Sequence, residues 1–185
     1  YGGFQSGIRT DILQFIFMFT GFVFLLVFSW NYFGSPKTLF TELPEHYFDP
    51  TGGNSIQYIL VWFFIALWTF IDPGFYQRTA AAKSPETARK GILISIGFWF
   101  VFDLLTISTG LYAVAILPNQ TAAMAYPELA SHILPPFVYG IFLAGLYSTI
   151  MSTIDSNGLI SAITFGRDIL GRIQNRENVG DTTAN

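Results

Sequence analysis

Long uncharged runs alternate with short charged segments along this chain. Residues 12–36, 50–71, 104–127 and 129–154 contain no Asp, Glu, Lys or Arg. A helix of about 20 residues crosses a hydrocarbon core of about 30 Å, and each run is long enough to do so. The pattern predicts four helices, over about 8–31, 55–72, 90–117 and 136–157. A weaker helical pattern (Leu159, Ile160, Ile163, Ile169, Leu170) carries the last one to about 172, with Asn157-Gly158 marking a kink or water-exposed turn within it. Gly34, Ser35 and Pro36 end the first span, and Asp49-Pro50-Thr51-Gly52-Gly53 precedes the second. Pro118 stops the third, and Pro135-Pro136 opens the fourth, where proline is tolerated in a first turn.

Composition sharpens this into a membrane reading. The chain is 51% hydrophobic and 18% aromatic, and only 11% of its residues are charged, against about 25% in soluble domains. The alternative, four core helices of a large soluble protein, requires buried helices of unusual length without a charge. There is no cysteine, so disulfides and thiolate metal sites are excluded. The net charge of −3 argues against a nucleic-acid partner. The chain opens on Tyr1, Gly2 and Gly3 without a signal peptide and runs straight into a span, as expected of a piece of a longer parent.

Lysine and arginine orient the spans. Arg9 begins the first. Arg78, Lys83, Arg89 and Lys90 lie between the second and third, and Arg167, Arg172 and Arg176 follow the fourth. Only Lys37 falls between the first and second, and none between the third and fourth. The basic ends share one side, expected to be cytoplasmic, with 35–54 and 118–134 outside. Trp30, Tyr32, Tyr47 and Tyr58 then lie near the outer boundary, as an aromatic belt would. Asn119-Gln120-Thr121 forms a glycosylation sequon on that side.

The fourth span carries the densest polar chemistry. Thr149, Ser152, Thr153 and Ser156 recur at helical spacing on one face, with Gly140 and Gly145 extending a small-residue surface. Such a face serves tight helix packing. It also serves a hard cation such as sodium: the Thr149 carbonyl with the Ser152 and Thr153 hydroxyls offers three oxygens, and a second helix would complete the shell. Three carboxylates are candidates for an ion path, since an ionisable group at membrane depth marks function by default. Asp103 lies about 20 Å along its helix and Asp155 about 27 Å along its own; Asp11 begins the first span and equally suits the positive end of that helix. Asp103 could instead be protonated or satisfied by Thr106, and Asp155 solvated in an inner vestibule. The second span ends in Trp68-Thr69-Phe70-Ile71-Asp72-Pro73-Gly74, either a simple stop or a broken helix lining a cavity, with Trp68, Thr69 and Asp72 as candidate cavity residues. The two histidines, His46 and His132, lie in expected outer loops without metal-ligand spacing, and no catalytic constellation or phosphate-cradling loop is visible.

At these residues the chain resembles the sodium:solute symporter family. Four stretches match in the family's order. Gly2-Gly3 with Arg9-Thr10-Asp11-Ile12-Leu13-Gln14 resembles its glycine pair and Thr-Asp-x-x-Gln helix start. Gln77-Arg78, Ala80-Ala81-Ala82-Lys83 and Ala88-Arg89-Lys90 resemble its cytoplasmic loop. Leu134-Pro135 through Gly140 and Leu143-Ala144 resemble the start of its eighth core helix. Met151-Ser152-Thr153-Ile154-Asp155-Ser156, ending in Gly166-Arg167-Asp168-Ile169, resembles that helix's Ser-Thr-x-x-Ser signature. The resemblance implies an all-α membrane fold, four transmembrane helices forming part of a leucine-transporter-type core of two inverted five-helix repeats. The span 8–31 would close the first repeat and the other three open the second. It implies a sodium site at the Thr149 carbonyl and the Ser152 and Thr153 hydroxyls, Asp11 on the ion's exit path, and 55–72 lining the solute cavity. Members often carry an amide-containing pair where this chain has Asp72-Pro73-Gly74, so the solute stays open among sugars, amino acids and carboxylates. The core's first helix, which holds the other half of the sodium site, lies outside the matching stretch.

The expectation is therefore a partial symporter core over 1–172 with a polar cytoplasmic tail over 173–185. It would sit in the plasma membrane as part of a multi-pass, non-enzymatic protein. Its partners would be the lipid bilayer, the remaining helices of its parent and a small organic solute, with sodium as coupling ion and alternating access as mechanism. A proton-coupled transporter, a sensor built on a transporter-like membrane domain, and a membrane scaffold or enzyme without a solute path are the alternatives.

Overall fold

A computed structural model describes residues 3–173, and seven α-helices account for most of them. The long ones are α1 (Gly3–Phe33), α5 (Pro85–Ile116) and α7 (Pro136–Ile163). Shorter ones are α2 (Pro36–Glu42), α3 (Ile56–Ile65), α4 (Pro73–Ala80) and α6 (Ala125–Ile133). The fold is all-α, and α1, α5 and α7 are each long and apolar enough to cross a membrane. The expected tail, apart from Ile173, lies outside the described residues, as does Gly2 of the expected glycine pair.

Local chemistry sets the boundaries. Gly34 ends α1 with a φ of 120° and donates its N–H to the Trp30 carbonyl at 2.9 Å; a left-handed residue closing a helix is glycine's usual place. Ser84 caps α5 by accepting from the Thr87 N–H at 3.2 Å, with Pro85 pre-set in the first turn. Ser55 caps α3 in the same way, accepting from Tyr58. In the loop ahead of α3, Asp49 accepts from the Thr51 N–H, the Thr51 hydroxyl and the Gly53 N–H. Those bonds, the Thr51 N–H first, hold its carboxyl below the usual carboxylate range.

The second span ends differently from a plain stop at 72. Its helix tightens into a 3₁₀ turn at Ala66–Phe70, bends by 43°, and resumes as α4 to Ala80. Proline explains the break: it has no N–H to donate, and it disfavours helical geometry in the residue before it. No turn interrupts the chain at Asn157-Gly158: both residues are exposed, but α7 runs unbroken through them and a π-helical segment follows at Thr164–Leu170. One glycine costs a helix only about 1 kcal/mol relative to alanine, too little to bend a span held elsewhere along its length.

Packing is led by α1 against α7, with α5 across α1. The pair runs antiparallel: Asp11 meets Ser152, Phe17 meets Gly145, and Gly21 meets Phe142. A Cβ built on Gly21 would stand 3.2 Å from the Phe142 Cα, and one on Gly145 2.6 Å from the Phe17 carbonyl oxygen. Small residues thus let the backbones touch, as membrane helix pairs require in the absence of a hydrophobic drive between them. The core gathers towards one end, where Phe22 packs edge-on against Phe102, Tyr126 and Phe142. Leu129 and Ala130 of α6 are fully buried there. At that end the Tyr112 hydroxyl donates to the Gly34 carbonyl at 2.8 Å, and Tyr32 meets the His132 ring at 3.1 Å. Asp11, Arg78 and Ser156 meet at the other. The chain therefore traverses up and down in the order expected from its hydropathy. Trp30, Tyr32, Tyr47 and Tyr58 are all exposed.

Candidate functional site

The polar residues of α7 divide into two neighbouring stripes. Gly145, Ser148, Ser152 and Ser156 form the buried or half-buried stripe that faces α1 and α4. Thr149 and Thr153 flank it and are exposed. The inward stripe shares Ser152 and Ser156, and the Gly145 extension, with the face read from periodicity, but takes Ser148 and leaves Thr149 and Thr153 on its exposed flank.

Ser152 donates its hydroxyl hydrogen to the Asp11 carboxylate at 2.9 Å. Thr153 donates to the Thr149 carbonyl at 3.2 Å, and Thr149 donates to the Gly145 carbonyl at 3.1 Å. Each hydroxyl spends its hydrogen on a neighbour, which leaves its oxygen lone pairs free. The Thr149 carbonyl and Thr153 hydroxyl oxygens already lie side by side, and Ser152 is adjacent in sequence. This is a neutral oxygen set suited to a hard monovalent cation, open on its Thr149–Thr153 side to a further helix. A transition metal has no comparable nest: among the described residues no three His, Cys, Asp or Glu side chains gather.

Below this set lies the one ion pair among the described residues, Arg78 to Asp11 at 3.2 Å. The same guanidinium nitrogen donates to the Ser156 hydroxyl at 2.8 Å. Arg78 therefore ties α4 to both α1 and α7. The two charges head an open, mostly apolar cleft of about 680 Å³ walled by Ile8, Ile12, Phe15, Ala81 and Ala82. Asp11 touches the Ser152 side of the oxygen set and the cleft at once, so it stands between them.

The remaining candidates fall elsewhere. Asp103 is exposed on α5, and the Thr106 hydroxyl donates to its main-chain carbonyl at 3.0 Å, leaving the carboxylate to other partners. Asp155 is exposed near the end of α7. Trp68 and Thr69 lie in the 3₁₀ turn before the bend, with Trp68 exposed and Thr69 half-buried. Asp72 caps α4, its carboxylate accepting from the Gly74 and Phe75 N–H groups at 2.8 and 3.1 Å. Sequence reasoning took Arg78 as a topological charge and missed its pairing. Gln14, which it met only inside a motif, is buried with an unpartnered side-chain oxygen.

The chain is similar in sequence to known proteins. The chain is 29% identical over 176 residues to a sodium/pantothenate symporter of Haemophilus influenzae, covering 91% of this chain and 36% of the relative. It is 24% identical over 177 residues to the osmoregulated proline transporter OpuE of Bacillus subtilis, with 91% and 36% covered. It is also 24% identical over 218 residues to sodium/glucose cotransporter 4 of Danio rerio, with 95% and 33% covered. The chain thus spans about a third of the length of these relatives. No solved structure matches it. The profile of the sodium:solute symporter family matches residues 1–183, nearly the whole chain, and the chain therefore belongs to the sodium:solute symporter family.

Proposed function

We propose that this chain is the part of a plasma-membrane secondary transporter in which sodium influx is coupled to uptake of a small organic solute. The observation that carries the reading is the oxygen set on α7. The Ser152 and Thr153 hydroxyls keep oxygen lone pairs free beside the Thr149 carbonyl, on a helix long and apolar enough to cross a membrane, and Ser152 is one hydrogen bond from an acid that opens to a cleft. Sodium would bind there with a further helix of the inverted-repeat core completing the shell. Asp11 would draw it towards the Arg78 side on release. The bend at Asp72-Pro73 between Ile56–Phe70 and α4 would let that broken span border the solute, with Trp68 and Thr69 beside the unwound turn. Relatives named for pantothenate, proline and glucose define the chemical range of solutes to test.

The test is uptake by the whole transporter in proteoliposomes. Radiolabelled pantothenate, proline and glucose would be offered with an inward sodium gradient and with potassium replacing sodium. At least one is expected to accumulate only with the gradient. Equal accumulation without sodium would falsify the assignment. Within the same assay, Ser152→Ala and Thr153→Ala separate ligation from packing. Interhelical polar contacts average about 0.6 kcal/mol, so a packing role moves half-saturating sodium about threefold or less. Ligation predicts a rise of tenfold or more, softened in Ser152→Thr and Thr153→Ser, which keep the hydroxyl.

A further inference from the structure

Gln14 stands out among the buried polar side chains. It is 7% exposed, and its amide oxygen has no hydrogen-bond partner. Its place in the helix pair is defined by its neighbours. It lies three residues after Asp11 and seven before Gly21, and both of those face α7. Asp11 lies opposite Ser152 and Phe17 opposite Gly145, so the antiparallel register sets Gln14 level with Ser148 and Thr149. Ser148 is itself buried. No hydroxyl of α7 donates to the amide oxygen: Ser152 is turned to Asp11, Thr149 to its own helix, and Ser148 makes no bond to it.

A carbonyl oxygen withdrawn from water with no donor is destabilising unless something else takes its lone pairs. A hard cation does so, and a carboxamide oxygen is one of its ordinary ligands. Being neutral, it attracts the ion without adding a charge that would hold it. We infer that the Gln14 amide oxygen is a further ligand for the transported cation. It is supplied by α1 opposite the α7 hydroxyls and is reached directly or through one water between the Thr149–Thr153 oxygens and Asp11. Gln14 and Asp11 then form two successive stations on one helix face, neutral at depth and charged at the mouth. This inference rests on the sodium-coupled reading above.

The experiment is equilibrium binding of sodium-22 to the purified whole transporter, which needs no knowledge of the solute. Gln14→Leu removes the oxygen at similar volume and is expected to raise half-saturating sodium tenfold or more. Gln14→Glu keeps an oxygen and is expected to hold it within threefold of the parent or lower it. A Leu variant that binds within threefold of the parent overturns the inference. So does a Glu variant as weak as Leu, the result expected if Gln14 only fills space or donates to another helix. Where Gln14→Leu fails to accumulate in membranes, Gln14→Glu decides by the same criterion. Ser152→Ala is the control. If it weakens sodium and Gln14→Leu does not, the Gln14 station alone is wrong. If the unmodified transporter shows no saturable sodium-22 binding, the coupling reading is wrong, and the Gln14 ligand with it.

Discussion

Gly145 on α7 lies against the main chain of Phe17 on α1, so close that a Cβ on the glycine would stand 2.6 Å from the Phe17 carbonyl oxygen. That contact fixes the register between Asp11 and Ser152 two turns away. A main-chain carbonyl within a helix has little freedom to retreat, so Gly145→Ala must separate the helices. Overpacking of this kind costs about 1–3 kcal/mol. Gly140, on the same helix, has nothing within 4 Å of the corresponding position. The expected outcome is a lower midpoint of thermal unfolding in detergent for the whole transporter carrying Gly145→Ala, and an equal or higher one for Gly140→Ala, which gains alanine's helix propensity without a clash. Equal midpoints would remove the close crossing from the account.

What the sequence made legible follows from lengths and charges. Hydrocarbon thickness fixes a minimum length, and three of the four uncharged runs overlap single helices that meet it, while the run over 50–71 overlaps the bent pair Ile56–Phe70 and Pro73–Ala80. Neither α2 nor α6 was legible. Seven and nine residues are too few for a periodic signal, and α6 is stabilised by burial of Leu129 and Ala130 against distant helices. The bend after Phe70 was half legible: Pro73 announces a break, but only tertiary structure decides whether a helix resumes. The site shows the same division. The hydroxyls of α7 were conspicuous, yet periodicity cannot choose between adjacent stripes. The missing Cβ of Gly145 makes that choice by admitting Phe17. Arg78 and Asp11, 67 positions apart, had to be brought together by the fold.

The Arg78–Asp11 contact should behave as a weak latch. Its side chains are 46% and 25% exposed, and pairs this accessible contribute about 0.2–1 kcal/mol. Asp11→Asn and Arg78→Gln should therefore leave the amount of folded protein nearly unchanged. Asp11→Asn should nevertheless raise half-saturating sodium or slow its release, because it removes the anion beside Ser152. Asp103→Asn, on an exposed face away from that contact, should leave sodium dependence intact; a loss of pH dependence there would instead mark a proton carrier. Sodium-dependent uptake with stopped-flow release distinguishes these outcomes. Identical behaviour of Asp11→Asn and the parent would reduce Asp11 to a structural residue.

Orientation can be checked independently of transport. The contacts at Asp11, Arg78 and Ser156 put one set of helix ends together, and those at Gly34, Tyr112 and His132 the other. The Lys and Arg distribution predicts that the Arg78 end is cytoplasmic. Single cysteines replacing Lys83 or Thr121 would be introduced into the cysteine-free chain and exposed to an impermeant thiol reagent in intact cells. Labelling is expected at Thr121 and not at Lys83. The reverse pattern would invert the topology and turn the cleft at Asp11 to the outside.

Asp72 carries two competing assignments, and its contacts let them be separated. The bend before α4 places it beside the unwound turn holding Trp68 and Thr69, where a carboxylate could meet solute. Both observed hydrogen bonds to it, however, come from the N–H groups of Gly74 and Phe75 and engage one carboxylate oxygen. That is a helix cap, and replacing such a cap with alanine costs about 1 kcal/mol. Asparagine keeps the accepting oxygen and removes the charge, so Asp72→Asn preserves the cap while Asp72→Ala does not. If capping is the role, Asp72→Asn should transport normally and Asp72→Ala should lose stability with half-saturating solute unchanged. If the charge meets solute, Asp72→Asn should raise half-saturating solute as much as Asp72→Ala does, at full stability. The geometry favours the first outcome, because both observed hydrogen bonds to the carboxylate are cap bonds from the first turn of α4. Measuring solute half-saturation and unfolding midpoint on both variants gives four numbers, and only the capping role predicts that both variants keep the parent's solute half-saturation while Ala alone loses stability.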